Sequence, residues 1–462
     1  MTQRCPGGSG PTAPSPCPSL APSRRALLTG GAVLLGGAGL AQAGSEPVSN
    51  PAAAPPADAA SERQPFFGQH QAGIVTPRPA TGMVAAFDVT ATSRDELERL
   101  FRILTDRIAF LMQGGPAPTA PAAFPPPDSG ILGPVIAPDN LTVTVALGAS
   151  LFDDRYGLAA LKPRRLQRMK RFPNDALDAS LCHGDLLLQI CSNSADTNIH
   201  ALRDILKNAP DLLLLRWKQE GSVPPSPPQP KAAAAEPPPS ARNLLGFRDG
   251  TANPDAADPA AMDALVWVKS GADEPGWATD GSYQVVRIIR NFVERWDRTA
   301  LSEQEEIMGR RKDSGAPFGG QREYDVPSYA DDPDGQRTKL DAHIRLANPR
   351  RAETEASRML RRPFNYSNGV TRAGQLDMGL LFICFQQDLE RAFIAVQTRL
   401  NGEPLEEYIK PVGGGYFFAL PGVPAPGGTL GGTLFAAARA AQPAPASGPA
   451  GPRPASIHRT GD

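Results

Sequence analysis

The chain repeats one order of predicted strands and helices on either side of a stretch rich in proline and alanine, residues 221–241. In the first half, short apolar runs predict strands, and apolar residues spaced by three and four predict helices. The predicted strands are residues 82–90, 141–147, 185–191 and 212–217, and the predicted helices are residues 93–111 and 198–208. Ser93, with Glu96 three residues later, predicts a capping box at the start of the first helix. The order strand-helix-strand-strand-helix-strand is that of a ferredoxin-like lobe with an antiparallel sheet.

The second half repeats this order more loosely. Its predicted strands are residues 284–292, 380–385 and 415–420, and its predicted helices are residues 302–311 and 389–400. Ser302, again with a glutamate three residues later, is the expected cap of the first of these helices. Between the first helix and the next strand lies a long excursion, residues 312–378. A loop of that length inside a compact domain is usually functional, so we expect the functional site there. The sequence therefore predicts an α+β protein of two ferredoxin-like β-α-β-β-α-β lobes with antiparallel sheets.

Composition agrees with a packed core and excludes two classes of protein. Hydrophobic residues make up 41% of the 462 residues, which excludes a wholly disordered chain. The formal net charge is -1, which argues against binding to nucleic acid.

Residues 1–43 have the features of an export signal. Arg24 and Arg25 precede an apolar stretch, residues 26–40, and residues 41–43 (AQA) have the small-x-small form of a signal peptidase site. Paired arginines before a mild apolar stretch are typical of twin-arginine signals, with an ordinary secretory signal or an N-terminal anchor as the alternatives. No later stretch predicts a membrane span. The sequence thus predicts export to the periplasm by the twin-arginine route.

The remaining boundaries follow from composition. Residues 44–62 and 438–462 are rich in small residues and proline, and we expect both segments to be disordered. The predicted lobes are then residues 63–220 and 242–437, with residues 221–241 as a linker or surface insert.

Cysteine and histidine are scarce, which limits the metal chemistry open to the chain. Cys182, Cys191 and Cys384 lie in apolar runs without metal-ligand spacing, so buried structural thiols are expected rather than disulfides. Of five histidines, His343 lies in the excursion. A single histidine is more often structural than functional, so the motifs around it must decide its role.

Several motifs form a specific series along the chain. Those of the second half are GFRDG followed by NP, then AHIRLANPR, RRPFNYSNG and GGGYFFALPG, and those of the first half are FFGQHQAGIVTP and CHGDLLLQI. The series resembles the dye-decolorizing haem peroxidases. Together with the export signal, it is similar to their exported, iron-uptake-associated branch, whose members are also called deferrochelatases. The resemblance covers residues 64–425.

The resemblance implies one haem b per chain, bound in the C-terminal lobe, and it implies roles for matching residues. His343 matches the proximal ligand of the haem iron. Asp249 matches the distal carboxylate, which can act as base and then as acid toward hydrogen peroxide. Arg361 matches the distal arginine that stabilises developing negative charge, with the adjacent Arg362 as the alternative.

Further residues are expected around the cofactor. The resemblance places Phe247, Gly250 and Arg345 in contact with it. Leu380 and Phe382 share one strand face, so they form either an apolar distal wall or ordinary core. A carboxylate usually accepts from the second ring nitrogen of a metal-bound histidine, and the candidates are Glu403 and Asp388.

The function implied by the resemblance is an exported haem peroxidase. It would reduce hydrogen peroxide and oxidise organic reductants through a ferryl intermediate. One alternative is release of iron from haem with the porphyrin intact, and another is a periplasmic haem or iron carrier without turnover. The expected partners are hydrogen peroxide with an organic reductant or haem. A homodimer and iron-uptake partners are also expected, without nucleic acid or a stable membrane span.

Overall fold

The computed structural model of the protein describes residues 61–224 and 238–441. The predicted signal, residues 1–43, lies outside the described residues, as do most of residues 44–62, 221–241 and 438–462. At two predicted boundaries regular structure continues further. A strand reaches Ser222, where it pairs with Asn365, and a helix reaches Ala440, because its apolar side chains are buried against the first lobe.

The first lobe follows the predicted order of elements. Its strands are β1 (Thr81–Val89), β2 (Gly115–Pro116), β3 (Val135–Ile136), β4 (Thr142–Gly148), β5 (Leu186–Ser192) and β6 (Leu213–Ser222), and its helices are α1 (Arg94–Gln113) and α2 (Ala195–Asn208). The short strands β2 and β3 pair only with each other. The other four lie in the order β4-β5-β1-β6, with antiparallel neighbours.

Helix α1 begins at the predicted residue and covers one face of this sheet. The Ser93 hydroxyl accepts the backbone N–H of Glu96 at 3.2 Å, which satisfies one of the free donors of the first turn. The Glu96 carboxylate binds Thr92 rather than Ser93, so the predicted capping box is only half formed. The apolar face of α1, including Leu97 and Leu104, is fully buried in the largest core cluster.

The second lobe supplies the remaining elements. They are α3 (Pro259–Leu265), β7 (Ser282–Asn291), α4 (Val293–Trp296), α5 (Leu301–Met308), α6 (His343–Ala347), β8 (Leu360–Arg361), β9 (Phe364–Val370), β10 (Leu376–Gln386), a π-helical turn (Glu390–Ile394) that continues as α7 (Ala395–Arg399), β11 (Ile409–Ala419) and α8 (Gly432–Ala440). Short 3-10 turns lie at Ala149–Leu151, Ala159–Leu161, Ala179–Leu181, Gly276–Ala278, Ala352–Ser357 and Pro404–Glu407.

Two details of this lobe differ from the sequence prediction. Helix α5 ends at Met308 because Gly309 takes a left-handed φ of 81°, and its N-cap is Ala300 rather than the expected Ser302. The second strand of the lobe, which the apolar pattern did not locate, is β9. Only two of its seven residues are buried, Phe364 and Tyr366, so it lacks a strong apolar signal.

The strand orders of the two lobes are the same, and their sheets are joined. The second lobe has the order β11-β7-β10-β9, which places its fourth, first, third and second strands side by side, as in the first lobe. The fourth strand of each lobe then pairs with the second strand of the other, β11 with β4 and β6 with β9. The predicted ferredoxin-like α+β fold is confirmed, with one continuous sheet in place of two separate ones.

The cysteines and the helices complete this description. Cys182, Cys191 and Cys384 are buried and free, as predicted. Burial raises the pKa of the Cys191 thiol to about 11, which keeps it protonated and unreactive at neutral pH. Within the described residues, no helix has both the length and the apolar character needed to cross a bilayer.

Candidate active site

A cavity of about 270 Å³ lies against one face of the second lobe's sheet. Its floor contains Arg287, Ile289 and Asn291 from β7, together with Leu380 and Phe382 from β10. Alternate residues of a strand share a face, so each strand presents this set to the same side. Helix α6, the excursion and the GFRDG loop form the other walls. The predicted location of the site in the excursion therefore agrees with the cavity.

His343 and Glu403 form a close pair at one wall of this cavity. His343 begins helix α6, and its Nδ1–H donates to Oε2 of Glu403 at 2.7 Å. The Glu403 side chain is only 4% exposed. Burial lowers the pKa of His343, but the charge and hydrogen bond of Glu403 outweigh burial, and the net pKa is raised. Because Nδ1 is engaged, Nε2 is the ring nitrogen left to bind a metal.

Asp249 and Arg361 form a second pair that lines the same cavity. Asp249 follows a turn in the GFRDG motif, where Gly250 takes a φ of 134° that favours glycine. Nη1 of Arg361 donates to Oδ1 of Asp249 at 3.0 Å, and the two side chains are 28% and 14% exposed. The structure thus brings together an acid-base group and a cation that were 112 residues apart in sequence.

The neighbouring arginines Arg361 and Arg362 point to opposite sides of strand β8. Arg362 is 5% exposed and donates to the backbone oxygen of Thr76, away from the cavity. Burial lowers the pKa of Arg362 to about 10. The geometry therefore favours Arg361 over Arg362 as the partner of Asp249.

Asn253 fixes the backbone of Arg361 and was not assigned a role from the sequence. Its side chain accepts the Arg361 N–H at 2.8 Å and donates to the Arg361 oxygen at 3.0 Å. Asn253 lies four residues after Asp249, so one loop holds both members of the pair in register. The letters NP after GFRDG were the only signal for it in the sequence.

The predicted apolar contacts also lie at the cavity. Leu380 and Phe382 are both half-buried in its floor, whereas Leu381 and Ile383 between and beyond them point into the opposite core. Phe247 lines the cavity from the other side, and its ring packs edge-on against Trp296 at 5.9 Å. The face of strand β10 that carries Leu380 and Phe382 therefore lines the cavity rather than only packing in the core.

Arg345 and Asp388 lie elsewhere than predicted. Arg345 does not line the cavity, and its guanidinium binds Asp332 at 3.1 Å and the backbone oxygen of Thr338 at 2.7 Å. Residues two apart in a helix point to nearly opposite sides, so Arg345 cannot share the direction of His343. Asp388 pairs with Arg165 at 2.9 Å, and Glu403 is the carboxylate beside His343.

Several cavity residues were missed by the sequence analysis. Arg287 is 1% exposed and forms a buried ion pair with Asp175. A charged residue inside the apolar strand QVVRIIRNF was the available signal for it. Tyr329 and Arg350 also line the cavity from the excursion, and Arg310 lines it from just beyond helix α5. Arg350 has a left-handed φ of 56°. Nothing in the local sequence distinguished them from surface residues.

Comparison with known proteins decides the family. The family model described as "Dyp-type peroxidase, N-terminal" matches residues 71–222, and the model described as "Dyp-type peroxidase, C-terminal" matches residues 240–424. The chain belongs to the Dyp-type peroxidase family. The predicted family, the enzyme class and haem b as its cofactor are therefore confirmed.

Relatives within this family place the chain more closely. It is 58% identical over 416 residues to "Deferrochelatase" of Escherichia coli O157:H7, a match that covers 90% of this chain and 97% of the relative. Two solved structures are similar. Ferric DtpA from Streptomyces lividans has a TM-score of 0.72 at 35% identity, covering 83% of this chain and 100% of that one. A DyP-type peroxidase from Cellulomonas bogoriensis has a TM-score of 0.71 at 34% identity, covering 81% and 99%.

The cavity of this Dyp-type peroxidase fits the chemistry of haem. A porphyrin is a flat apolar ring with two carboxylates, and the cavity combines apolar lining residues, such as Ile289, Leu380 and Phe382, with several arginines. The Nε of Arg350 and the hydroxyl of Tyr329 are buried without a hydrogen-bond partner among the described residues. Such donors suit an anionic group. His343 offers Nε2 to the iron, so one cavity can satisfy the metal, the ring and the carboxylates.

Proposed function

We propose that this chain is an exported peroxidase in which Asp249, Arg361 and the His343–Glu403 pair perform the reaction with hydrogen peroxide. The observation that carries the proposal is that both pairs line one cavity. When bound, haem b supplies the iron that reacts with peroxide and then takes electrons from an organic reductant.

The roles of the residues follow from their contacts. His343 holds the iron through Nε2, and Glu403 orients the ring and increases its electron donation through Nδ1. Arg361 occupies Oδ1 of Asp249, which leaves Oδ2 to take a proton from peroxide and return it to the departing oxygen. The Arg361 guanidinium stabilises the negative charge that develops as the O–O bond breaks. Phe247, Leu380 and Phe382 limit water around these groups.

An absorption spectrum tests this proposal most directly. Purified mature protein is expected to show a Soret band that shifts with one equivalent of hydrogen peroxide and returns when a phenol such as guaiacol is added. A Soret band that does not change on addition of peroxide would favour the alternative of a haem or iron carrier that catalyses no reaction. Protein that holds no haem after reconstitution would overturn the proposal.

Release of iron from haem with the porphyrin intact is a second candidate function. It is supported by the 58% identity to proteins named deferrochelatase. Fluorescence of metal-free porphyrin during incubation with haem would support this activity. Linear tetrapyrrole products would contradict it, since they require the ring to be opened.

Export by the twin-arginine route is the proposed localisation, and a homodimer and iron-uptake partners remain predictions of the resemblance. Arg24 and Arg25 lie outside the described residues, so the proposal rests on their sequence context. Replacing both arginines with lysine should keep the protein in the cytoplasm. Continued export of that variant would favour an ordinary secretory signal.

A further inference from the structure

A short segment of the first lobe concentrates positive charge in a chain whose net charge is only -1. Residues 162–171 read KPRRLQRMKR, with six basic side chains among ten residues. None of these basic side chains lines the cavity. Charge of one sign at this density raises the local concentration of an oppositely charged ligand.

The segment is fixed to the protein by its apolar residues. Leu166, Met169 and Phe172 are 1%, 6% and 7% exposed, respectively, and lie at a spacing of three. The residues between them face outward, and Arg168, Lys170 and Arg171 are exposed. The segment forms no helix or strand, but the burial of every third residue fixes which side chains face the core and which face outward.

Two of the six basic residues are neutralised and the outward ones are not. Arg164 forms an ion pair with Asp273 at 3.1 Å. Arg165 forms ion pairs with Glu274 at 3.0 Å and with Asp388 at 2.9 Å. Among the described residues, Arg168, Lys170 and Arg171 form no ion pair with a carboxylate. Arg168 instead donates to the ring of His183 at 3.1 Å, which orients its guanidinium. We call these three residues the basic patch.

The inner side of the segment packs against two residues of the cavity wall. Met169 Sδ lies 3.5 Å from Nη1 of Arg287, and the Phe172 ring lies 5.6 Å from the Arg287 guanidinium. The Phe172 ring also packs edge-on against Phe393 at 6.3 Å. Arg287 and Phe393 line the cavity, whereas Met169 and Phe172 do not. The buried side chains of the segment and these cavity-lining residues therefore lie between the basic patch and the cavity.

A second connection lies at the end of the segment. Asn174, two residues after Phe172, lines the cavity and accepts a hydrogen bond from Nζ of Lys410. Ile409 and Pro411 line the cavity and Lys410 between them does not, so this hydrogen bond ties the end of the segment to strand β11.

We propose that Arg168, Lys170 and Arg171 form a docking site for an aromatic anion, such as a sulfonated reductant, on the outer side of the cavity wall. The proposal rests on the peroxidase function proposed above. Each docked molecule gives one electron. Two such molecules and two protons convert one hydrogen peroxide into two waters, and both reductants leave oxidised by one electron.

A small anion fits the patch better than a protein does. Four consecutive residues span at most about 14 Å of extended chain, which matches the size of a disulfonated aromatic molecule. A stable protein partner needs about 800 Å² on each side, far more than three side chains provide. The proposal therefore concerns a small reductant rather than a protein partner.

The test compares two reductants with the holoenzyme. The anionic reductant is ABTS, which carries two sulfonates, and the neutral one is guaiacol. The variant Arg168→Gln/Lys170→Gln/Arg171→Gln removes three charges from the patch. The control Arg99→Gln/Arg102→Gln/Arg203→Gln removes three exposed charges from helices α1 and α2. Binding of redox-inert naphthalene-1,5-disulfonate, measured by calorimetry, gives a readout independent of turnover.

The patch variant should lower kcat/KM for ABTS about tenfold at low ionic strength, mainly through KM, because each exposed charge contributes modestly. In 0.5 M salt the loss should shrink to about twofold, since the Debye length falls to a few ångströms. The control should match the parent with both reductants. Naphthalenedisulfonate should bind the parent and the control more tightly than the patch variant.

Three outcomes would overturn the docking site. They are an equal loss for ABTS and guaiacol, the same loss in the control, and unchanged naphthalenedisulfonate binding in the patch variant. Failure of the parent to oxidise either reductant with peroxide would instead overturn the proposed peroxidase function. The guaiacol arm therefore separates the two failures.

Discussion

The two lobes share one strand order, yet only the second has a large cavity among the described residues. In the first lobe, α1 has 20 residues and α2 has 14, and together they cover the sheet. The corresponding helices of the second lobe are shorter, with 8 residues in α5 and five each in the π-helical turn and in α7, which continues it. The difference shows that a cavity arises where the same sheet is covered by less helix.

The sheet faces differ in the same way. Met83, Ala85 and Phe87 of β1 lie in the apolar core under the helices of the first lobe. The equivalent first strand of the second lobe, β7, presents Arg287 and Asn291 to the cavity. Polar side chains are stable on that face because they lie at the cavity and partners are within reach, as Asp175 is for Arg287.

Each lobe also contains one close histidine–carboxylate pair, and the pairs differ in access. His200 lies 2.7 Å from Asp128, with side chains 1% and 6% exposed. His343 lies 2.7 Å from Glu403, but its side chain is 29% exposed. The same contact is sealed in one lobe and open to a cavity in the other. Access, rather than the contact itself, separates a ligand-binding histidine from a structural one.

The largest effect is expected on the rate of the peroxide reaction, when the ion pair of the cavity is compared with an ion pair of the first lobe. Asp249→Asn should slow the reaction with hydrogen peroxide by about 10²–10⁴-fold with haem retained, because general acid-base catalysis contributes that much. Asp204 pairs with Arg107 through two contacts of 2.8 and 2.7 Å in the first lobe. Asp204→Asn should keep the rate and lose stability instead. Stopped-flow spectroscopy at the Soret band measures the rates, and a parental rate in Asp249→Asn would remove Asp249 from the mechanism.

The next prediction uses the two histidine pairs. His343→Ala should weaken or abolish the Soret band, because the iron loses its protein ligand. His200→Ala should keep the Soret band but destabilise the protein by about 1–3 kcal/mol, since Oδ2 of the buried Asp128 loses its hydrogen-bond partner. Absorption spectra and thermal unfolding of both variants give the comparison. A normal Soret band in His343→Ala would disprove the assigned ligand.

The order of elements could be predicted because each carries its own local signal. The apolar stripe of α1 and its Ser93 cap are examples, and both agree with the structure. The pairing of β11 with β4 could not be predicted, since register between distant strands depends on tertiary packing. Strand β9 was missed because most of its side chains are exposed.

The site was predicted mainly through the resemblance of its motifs, and local physics explains the gaps. The motif letters indicated Asp249, Arg361 and His343, which the structure places around one cavity. Arg345 was expected there from the resemblance, but helical geometry turns its side chain away from the cavity. Glu403 lies 60 residues from His343, and only the fold could select it over Asp388.

A smaller effect is expected at Asn253, which positions Arg361. Asn253→Ala should lower kcat/KM for peroxide about tenfold, because a misplaced stabilising group loses part of its effect. Asn253→Asp keeps the acceptor for the Arg361 N–H and should restore part of the rate. In the first lobe, Asn198 donates to Thr81 at 2.9 Å, and Asn198→Ala should change stability alone.

A merely structural role for Asn253 would change stability without changing the reaction. The peroxide rate, measured beside thermal stability, separates the two roles. The rate should fall in Asn253→Ala and recover in part in Asn253→Asp, and it should stay unchanged in Asn198→Ala. Equal rates for the parent and Asn253→Ala would contradict the positioning role.

The smallest effect concerns His183. Its backbone N–H donates to the backbone oxygen of Gly414 at 2.9 Å, which joins the two lobes. Burial, with Arg168 and Arg216 nearby, lowers the pKa of His183 to about 4. A histidine whose pKa is lowered on folding stabilises the protein above its unfolded pKa of about 6.5. That contribution is lost as the pH falls from about 6.5 toward 4, because the folded protein then binds a proton less readily than the unfolded chain.

Replacing His183 should therefore flatten the acid limb of the stability profile. Asn tolerates the left-handed φ of 62° at this position, so His183→Asn removes the titration with little added strain. After allowance for solvent screening, the difference should be about 1 kcal/mol, or roughly 1 °C in Tm for a folded chain of this size, between pH 7 and pH 4. Thermal unfolding across that range measures it. Parallel curves for the parent and the variant would show that the contact between the lobes does not depend on a neutral His183.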